Sequence, residues 1–397
     1  MPAVCFFCFL TPELLFSLYS IFISFPLKAS RFVFIKSVSS FSTATAPIMS
    51  HTVKDQNVDL YEDPVLESEL LKPLTAHPNP DVPQTGVHLY HANASVYSAE
   101  ARLLLADKGY VPYTTHHVAV VGGFFDNYEP WYARINPRCV VPTLVIDGKV
   151  TTDAHNMIKY AEAIGLGGPD APKLLPTDPA EKASVEEYFD LAASVFLEAL
   201  TYGEAENGPK IPSHMRWVLK NNHTKRYQAL ERKIEEHADD EYLKKVYETK
   251  LSYVTLIMSI IKSPEKMTEI FEATEEIFAQ LNKHLEEGPF LAGDTGTAFL
   301  CGKTYSMADL LWSIVLWRLQ NRGYDAYLWD EYPAVQAYVA KLHARPEFHF
   351  AVLDWAHPLV LTELMVRTTI RHNPLTFALV TAAAVGAVAS IFMGRKR

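Results

Sequence analysis

Tyr305-Ser306-Met307-Ala308-Asp309-Leu310-Leu311-Trp312-Ser313-Ile314-Val315-Leu316-Trp317-Arg318-Leu319 states both where a helix begins and how deeply it lies. Ser306 is a good N-cap, and three residues on Asp309 can reach back to the free amides of the first turn. The pair is a capping box with the shorter acid in place of Glu or Gln. Apolar side chains then fall on every face rather than on one stripe, so the helix is expected to run through the middle of a helical domain, with Trp312 and Trp317 as core.

Working outward from that helix, Phe290-Leu-Ala-Gly-Asp reads as a turn ahead of it, Met267 to Leu285 as an amphipathic helix, and Pro333 to Leu342 as the start of another. Upstream, Pro179 to Leu200 reads as one long helix. From about Gly203 to Pro264 the chain carries an insertion, first Gly- and Pro-containing, then strongly charged through Lys225, Arg226, Glu231, Arg232, Lys233, Glu235 and Glu236. The charge pattern alone describes a solvated pair of helices; a segment of that length is otherwise a functional surface.

The N-terminal half has a different period. Val87-His88-Leu89-Tyr90-His91 is a short strand, an amphipathic helix follows from about Ser95 to Lys108 and stops at Gly109, and Tyr113 to Val118 is a second, parallel strand. Beyond Gly122-Gly123 and the irregular stretch Tyr128 to Pro137, Val140 to Ile146 and Lys149 to Thr152 flank Asp147-Gly148, a two-residue hairpin turn. A third helix is expected from Asp153 to Ala163. The order βαβ, irregular helix, β-hairpin, α is that of a thioredoxin-like domain. Pro142 fits a strand start at a sheet edge, and a cis bond there would present the Val141 backbone to a ligand.

Composition sets the limits. The chain has 397 residues, 49% hydrophobic and 21% charged, which suits a globular protein of about two domains. A formal net charge of −10 argues against a nucleic-acid partner. Cys5, Cys8, Cys139 and Cys301 are too few for a disulfide framework, and the last two read as reduced thiols.

Residues 1–48 look foreign to the fold: rich in Phe and Ser, with Glu13 as their one acid. They read as a dispensable leader or a mis-extended start before Met49. A signal segment over Met1 to Phe25, or a transit peptide over Lys28 to Pro47, remains an alternative. Residues 49–84, with Pro64, Pro73, Pro78, Pro80 and Pro83, read as an extended linker. At the other end Leu375 to Met393 is uncharged and about 28 Å long at ~1.5 Å per residue, close to a bilayer's hydrocarbon thickness. Asn373-Pro374 supply a cap and first-turn proline, and basic residues flank it: Arg367, Arg371 and His372 before, Arg395-Lys396-Arg397 after. Residues 374–394 are expected to be a transmembrane tail anchor facing the folded body to the cytosol.

Taken together, Val141-Pro142, Leu300-Cys301-Gly302 and the hydroxyl-x-Ala-Asp helix start resemble the glutathione transferases. More narrowly the chain resembles the ganglioside-induced differentiation-associated proteins, tail-anchored members of that fold. That likeness rests on Leu89-Tyr90-His91 with Ser95, Ser98 and Arg102, on Glu129-Pro130-Trp131-Tyr132-Ala133-Arg134-Ile135-Asn136, on Tyr242-Leu243-Lys244-Lys245 and on the Leu300 motif, and covers Val87 to Arg397. A plant branch resembling tetrachlorohydroquinone dehalogenase is a weaker relative. The fold class implied is an α/β thioredoxin-like N-terminal domain (85–168) plus an all-α C-terminal domain (174–355, insertion about 203–264), with a C-terminal transmembrane helix.

The resemblance implies glutathione as ligand or cosubstrate. Ser95, or alternatively Ser98, would donate to the thiolate at the helix N-terminus, where the dipole favours negative charge. Ser95 as a simple N-cap is the competing reading. Val141 would pair its backbone with the cysteinyl unit beside Pro142, and Asp153 would take the γ-glutamyl ammonium. Two departures weaken that site: Ala154 stands where active enzymes usually carry a Ser, and Val140 where many carry a polar residue, each loss costing around 1 to 3 kcal/mol. No metal site is expected, because His116 and His117 point to opposite faces of a strand. Cys139 reads as a packed small residue, and Gly165 to Gly168 as a helix terminator rather than a phosphate loop.

The resemblance further implies either a role in mitochondrial shape and redox balance, with the 203–264 insertion meeting a protein partner, or a membrane-tethered transferase acting through Ser95. It leaves a homodimer open. The expected location is the mitochondrial outer membrane; peroxisome, endoplasmic reticulum, or organelle import by the leader are the alternatives.

Overall fold

A computed structural model of the chain describes residues 82–120, 123–292 and 298–374. The expected leader, the linker up to residue 81 and the membrane segment 375–393 lie outside the described residues. Among the described residues no helix is long and apolar enough to cross a membrane.

The N-terminal domain is built as its periodicity predicts: β1 (Val87–His91), α1 (Val96–Asp107), β2 (Thr114–His117), α2 (Pro130–Ile135), β3 (Thr143–Ile146), β4 (Lys149–Thr151) and α3 (Ala154–Ala163). The strands form one four-stranded sheet in the order β2-β1-β3-β4. β1 runs parallel to β2 and antiparallel to β3, and β3 and β4 close as a hairpin. Asp147 and Gly148 both take positive φ in its turn, 47° and 83°, which is what a two-residue turn of matching twist requires. The expectation of an edge strand after Pro142 does not hold. β3 is interior, and Pro142 is tolerated because it precedes Thr143, the last residue in register with β1, so its missing N–H removes no ladder bond.

The helical domain comprises α4 (Pro179–Ala193), α5 (Leu197–Tyr202), α6 (Ser213–Glu236), α7 (Glu241–Ile261), α8 (Pro264–Glu287), α9 (Met307–Asn321), α10 (Pro333–His343) and α11 (Pro358–His372). α9 is the buried axis: Trp312 is fully buried and the faces of α9 pack on α4, α5, α10 and α1. Its capping box is present, and Asp309 carries more than the cap. One carboxylate oxygen accepts from the Ser306 amide (2.9 Å) and hydroxyl (2.7 Å), the other from the Leu300 amide (3.1 Å) and the Tyr338 hydroxyl (2.7 Å).

Three expectations need correction. The single helix over Pro179 to Leu200 is broken at Ser194 to Phe196. Val195, Phe196 and Leu197 are three consecutive buried apolar residues, which one helical stripe cannot accommodate, and the Ser194 hydroxyl donates back to the Leu191 carbonyl at 2.7 Å. The fold also does not finish at Trp355. After a π-helical turn over His349–Leu353, α11 runs back to the N-terminal domain, where His372 Nε2 lies 2.8 Å from Asp126 and Arg371 pairs with the same carboxylate.

The third concerns the insertion. α6 and α7 form the expected helix pair, but it is not merely solvated. Ala229, Leu230, Leu243, Val246, Tyr247 and Val254 share one apolar cluster with Phe125, Tyr128, Ala133 and Cys139 of the N-terminal domain. Arg134 to Asp240 (2.5 Å) and Lys233 to Glu129 (3.2 Å) rim the contact.

Candidate functional site

Ser95 is the N-cap of α1, in extended conformation, and its Oγ accepts the Ser98 amide at 3.2 Å. The cap uses a lone pair and leaves the hydroxyl proton to donate elsewhere, so capping and thiol activation are compatible roles for one side chain. Ser95 keeps partial solvent access. Ser98 is fully buried and its Oγ accepts the Ala92 amide at 3.2 Å, closing the turn between β1 and α1. Of the two hydroxyls, Ser95 is the one open to a ligand.

Val141-Pro142 is a cis peptide bond. The approach to it is fixed by side chains: the Tyr132 hydroxyl (2.6 Å) and Asn136 Nδ2 (2.9 Å) both donate to the Val140 carbonyl, and both also bond Thr143 Oγ1. The β1–β3 register ends at Tyr90 and Thr143, and its continuation sets Ala92 across from Val141. Both belong to one apolar cluster. Ser95 is tied to the same spot, because its amide donates to the Ala92 carbonyl at 3.1 Å. The fold thus brings Ser95 and Val141 to the same end of the two central strands.

Asp153 caps α3 by accepting the Asn156 amide at 2.9 Å, and its other oxygen lies 3.5 Å from Arg138. Behind it is Glu100 of α1, fully buried, with neither carboxyl oxygen hydrogen-bonded. Burial holds Glu100 well above the ordinary carboxylate range, and the Asp153 charge adds to this. His155 approaches to 3.6 Å, and burial lowers its basicity. Ala154 is buried and offers no hydroxyl.

A cis-proline loop, a capped first helix and an acid at the start of the third stand together in one domain. The family model described as "Glutathione S-transferase, N-terminal domain" matches residues 89–165, and "Glutathione S-transferase, C-terminal domain" matches residues 264–341. The chain belongs to the glutathione S-transferase superfamily. Its relatives include tetrachloro-p-hydroquinone reductive dehalogenase of Sphingobium chlorophenolicum, 28% identical over 67% of this chain and 95% of that protein. The 2,5-dichlorohydroquinone reductive dechlorinase of Sphingobium indicum is 29% identical over 68% of this chain and 83% of its own length. The human ganglioside-induced differentiation-associated protein 1-like 1 is 25% identical over 79% of this chain and 88% of its own.

Other residues take quieter places in this transferase fold. Cys139 is buried, and desolvation pushes its thiol up to about 12, so it is no nucleophile. His116 stacks on Tyr90 while His117 meets His91 on the opposite face. Among the described residues no group of three or more His, Cys, Asp or Glu could hold a metal ion.

What sequence reasoning missed lies on the insertion. Lys250 of α7 is 4% exposed, and the face of Tyr253 stands 4.9 Å from its ammonium. Burial pushes Lys250 down to about 8, with the Arg226 charge adding to the effect. The Tyr253 hydroxyl donates to Glu198 at 2.8 Å, and Arg318 Nε donates to Thr201 at 3.0 Å. A signal was available: Leu243, Val246, Tyr247, Lys250, Val254 and Ile257 form one buried stripe, with a lysine in the middle of it.

Proposed function

We propose that the protein holds glutathione as its thiolate at Ser95 and transfers it to an electrophilic organic compound. The observation that carries this reading is the Ser95 hydroxyl, which caps α1 yet keeps a proton to donate, beside the cis Val141-Pro142 bond. The thiolate attacks an electrophilic carbon, the carbon–sulfur bond forms as the leaving group departs with its electron pair, and no redox partner is needed. Val141 pairs with the cysteinyl backbone and Asp153 takes the γ-glutamyl ammonium. Two relatives are named for reductive dehalogenation of chlorinated hydroquinones, which needs a reductant beyond this displacement step; what they share with the proposal is the substrate class, since an aryl halide carries both an electrophilic carbon and a leaving group.

The reading extends to place. Leu375 to Met393, flanked by bases, anchors the body to the mitochondrial outer membrane on its cytosolic side, where apolar substrates concentrate. A reporter carrying His372 through Arg397 should reach that membrane, and replacing Arg395, Lys396 and Arg397 with uncharged residues should divert it to the endoplasmic reticulum. A body protected from protease in sealed mitochondria defeats this topology.

A second reading, a role in organelle shape or redox balance with weakened glutathione binding, is favoured by the missing hydroxyl at Ala154 and by the likeness to the ganglioside-induced differentiation-associated protein. Titrating the thiolate absorbance of bound glutathione separates the two. The transferase reading expects the bound thiol pKa to lie about 1 to 2 units below that of free glutathione, and Ser95→Ala to abolish the difference. Failure of the wild-type chain to take up glutathione leaves only the second reading standing.

A further inference from the structure

β1 and β2 run side by side in parallel, with His88 opposite Thr114 and Tyr90 opposite His116. Side chains alternate along a strand, so the step that sends His116 and His117 to opposite faces puts His116 on the face of His88 and Tyr90. There the two imidazoles meet: His88 Nδ1 lies 3.0 Å from His116 Nε2, with the ring planes 19° apart. Both side chains are half-buried. His88 stands near the start of β1, at the other end of the strand from the Ser95 turn.

The pair is held from two sides. His88 Nε2 is 3.0 Å from the Thr85 carbonyl. A carbonyl only accepts, so in the neutral ring Nε2 carries the proton and Nδ1 the lone pair, and that lone pair faces His116. The next residue, Gly86, is clasped by Asp147: the Gly86 amide donates to Asp147 Oδ1 at 2.7 Å, and the Asp147 amide donates to the Gly86 carbonyl at 3.0 Å. Gly86 takes a φ of 81° to make this turn, which fixes the Thr85 carbonyl behind His88. On the other side Tyr90 stacks on the His116 ring at 4.3 Å and itself tilts against Trp131. A histidine that donates from one ring nitrogen to a main-chain carbonyl is oriented as metal-bound histidines are, with the second nitrogen free to ligate.

We infer that His88 and His116 form a two-histidine chelate for a divalent transition-metal ion, Cu2+ foremost, completed by water. The spacing selects the ion. Metal–imidazole bonds of about 2.0–2.1 Å set two nitrogens about 2.9 Å apart when they are neighbours in a square plane, and about 3.3 Å apart in a tetrahedron. The observed 3.0 Å is nearer the first, and a tetragonal set of nitrogen and oxygen ligands suits Cu2+ or Ni2+. No third His, Cys, Asp or Glu joins the pair among the described residues, so water fills the remaining positions. The ion replaces the hydrogen bond between the rings. His116 exchanges its Nε2 proton for one on Nδ1, both rings stay neutral, and each offers one lone pair.

The test titrates Cu2+ into the metal-stripped full chain in detergent, with citrate as an oxygen-only competitor that keeps lone surface histidines empty. Calorimetry should find one equivalent, and electron paramagnetic resonance should show splitting by two nitrogens. His116→Gln keeps an amide near the place of Nε2 and His88→Asn one near that of Nδ1, so a hydrogen bond between the strands survives while the chelate does not. Each should weaken Cu2+ binding at least about tenfold, and the double variant by little more, because a histidine left alone no longer chelates. Unchanged melting of the metal-free variants shows the fold intact. Cu2+ held as tightly by either single variant, or losses that simply add in the double variant, overturns the inference. So does splitting by a single nitrogen in the unmodified chain, a result that needs no variant and decides the matter even where a substitution disturbs the fold.

Discussion

Arg102 Nε of the first helix donates to the main-chain carbonyl of Ala351 at 2.8 Å, across the boundary between the two domains. The same guanidinium reaches His91 Nδ1 at 3.2 Å and the Asn93 carbonyl at 3.4 Å, and lies over the Trp355 ring. Burial, with the Arg102 charge, pushes His91 down to about 2, so its ring is neutral and accepts. Arg102 thereby ties β1, the Ser95 turn and the last part of the helical domain into one unit.

Arg102→Ala should cost about 3 kcal/mol, because three buried acceptors lose a charged donor at once. Arg102→Lys should recover little of it, since one ammonium cannot reach three directions. Chemical denaturation checks both, and a loss below about 1 kcal/mol would show that water replaces the guanidinium.

Asp309→Ala should be more damaging than a lost helix cap. A cap alone is worth about 0.5 to 2 kcal/mol. Asp309 takes four donors from Ser306, Leu300 and Tyr338, so about 3 to 4 kcal/mol is expected, with Asp309→Asn intermediate. A melting temperature lowered only as far as for Ser306→Ala would show that Leu300 and Tyr338 find other partners.

Lys250 trades stability for its charge. Its folded value of about 8 lies below the ordinary 10.5, so between these the unfolded chain holds more proton and folding stability rises with pH. Below about 8 the fold carries the whole penalty. Lys250→Met should therefore stabilise the chain at neutral pH by about 2 to 3 kcal/mol and flatten its stability profile between pH 8 and 10. A variant that melts lower than wild type at neutral pH contradicts this.

Asp126→Ala should loosen the end of α11. Asp126 accepts the Ala119 amide at 2.9 Å and holds both Arg371 and His372. Amide hydrogen exchange across the last turn of α11 should quicken by roughly tenfold, with α9 unaffected. Uniform exchange changes throughout the fold would mean that Asp126 supports the domain and not the helix end.

The parts legible in the sequence were those with short-range signals. Asp147-Gly148 specifies its turn by backbone geometry, Ser306 and Asp309 specify a helix start over one turn, and the strand Val87–His91 announces itself by alternation. The break at Ser194 was hidden because helix propensity runs through it; burial of Val195, Phe196 and Leu197 decides it, and burial is a property of the whole fold. Ser95, Val141 and Asp153 could be named only as candidates, and the compatibility of capping with proton donation needed the observed bond from Ser98. Lys250 was passed over because the charged run from Lys225 to Glu236 on α6 made the whole helix pair look solvated, although the place of Lys250 on the apolar stripe of α7 was already written there.

The α6–α7 pair covers Phe125, Tyr128, Ala133 and Cys139, and this constrains any attempt to shorten the chain. Splicing Gly203 to Pro264 to imitate a smaller transferase would not trim a loop; it would open an oily window on the thioredoxin-like domain and strip away Arg226 and Lys250 in the same cut. A minimal variant has to repaint that window with polar side chains as it loses the pair, so the two surfaces can be gained or discarded only together.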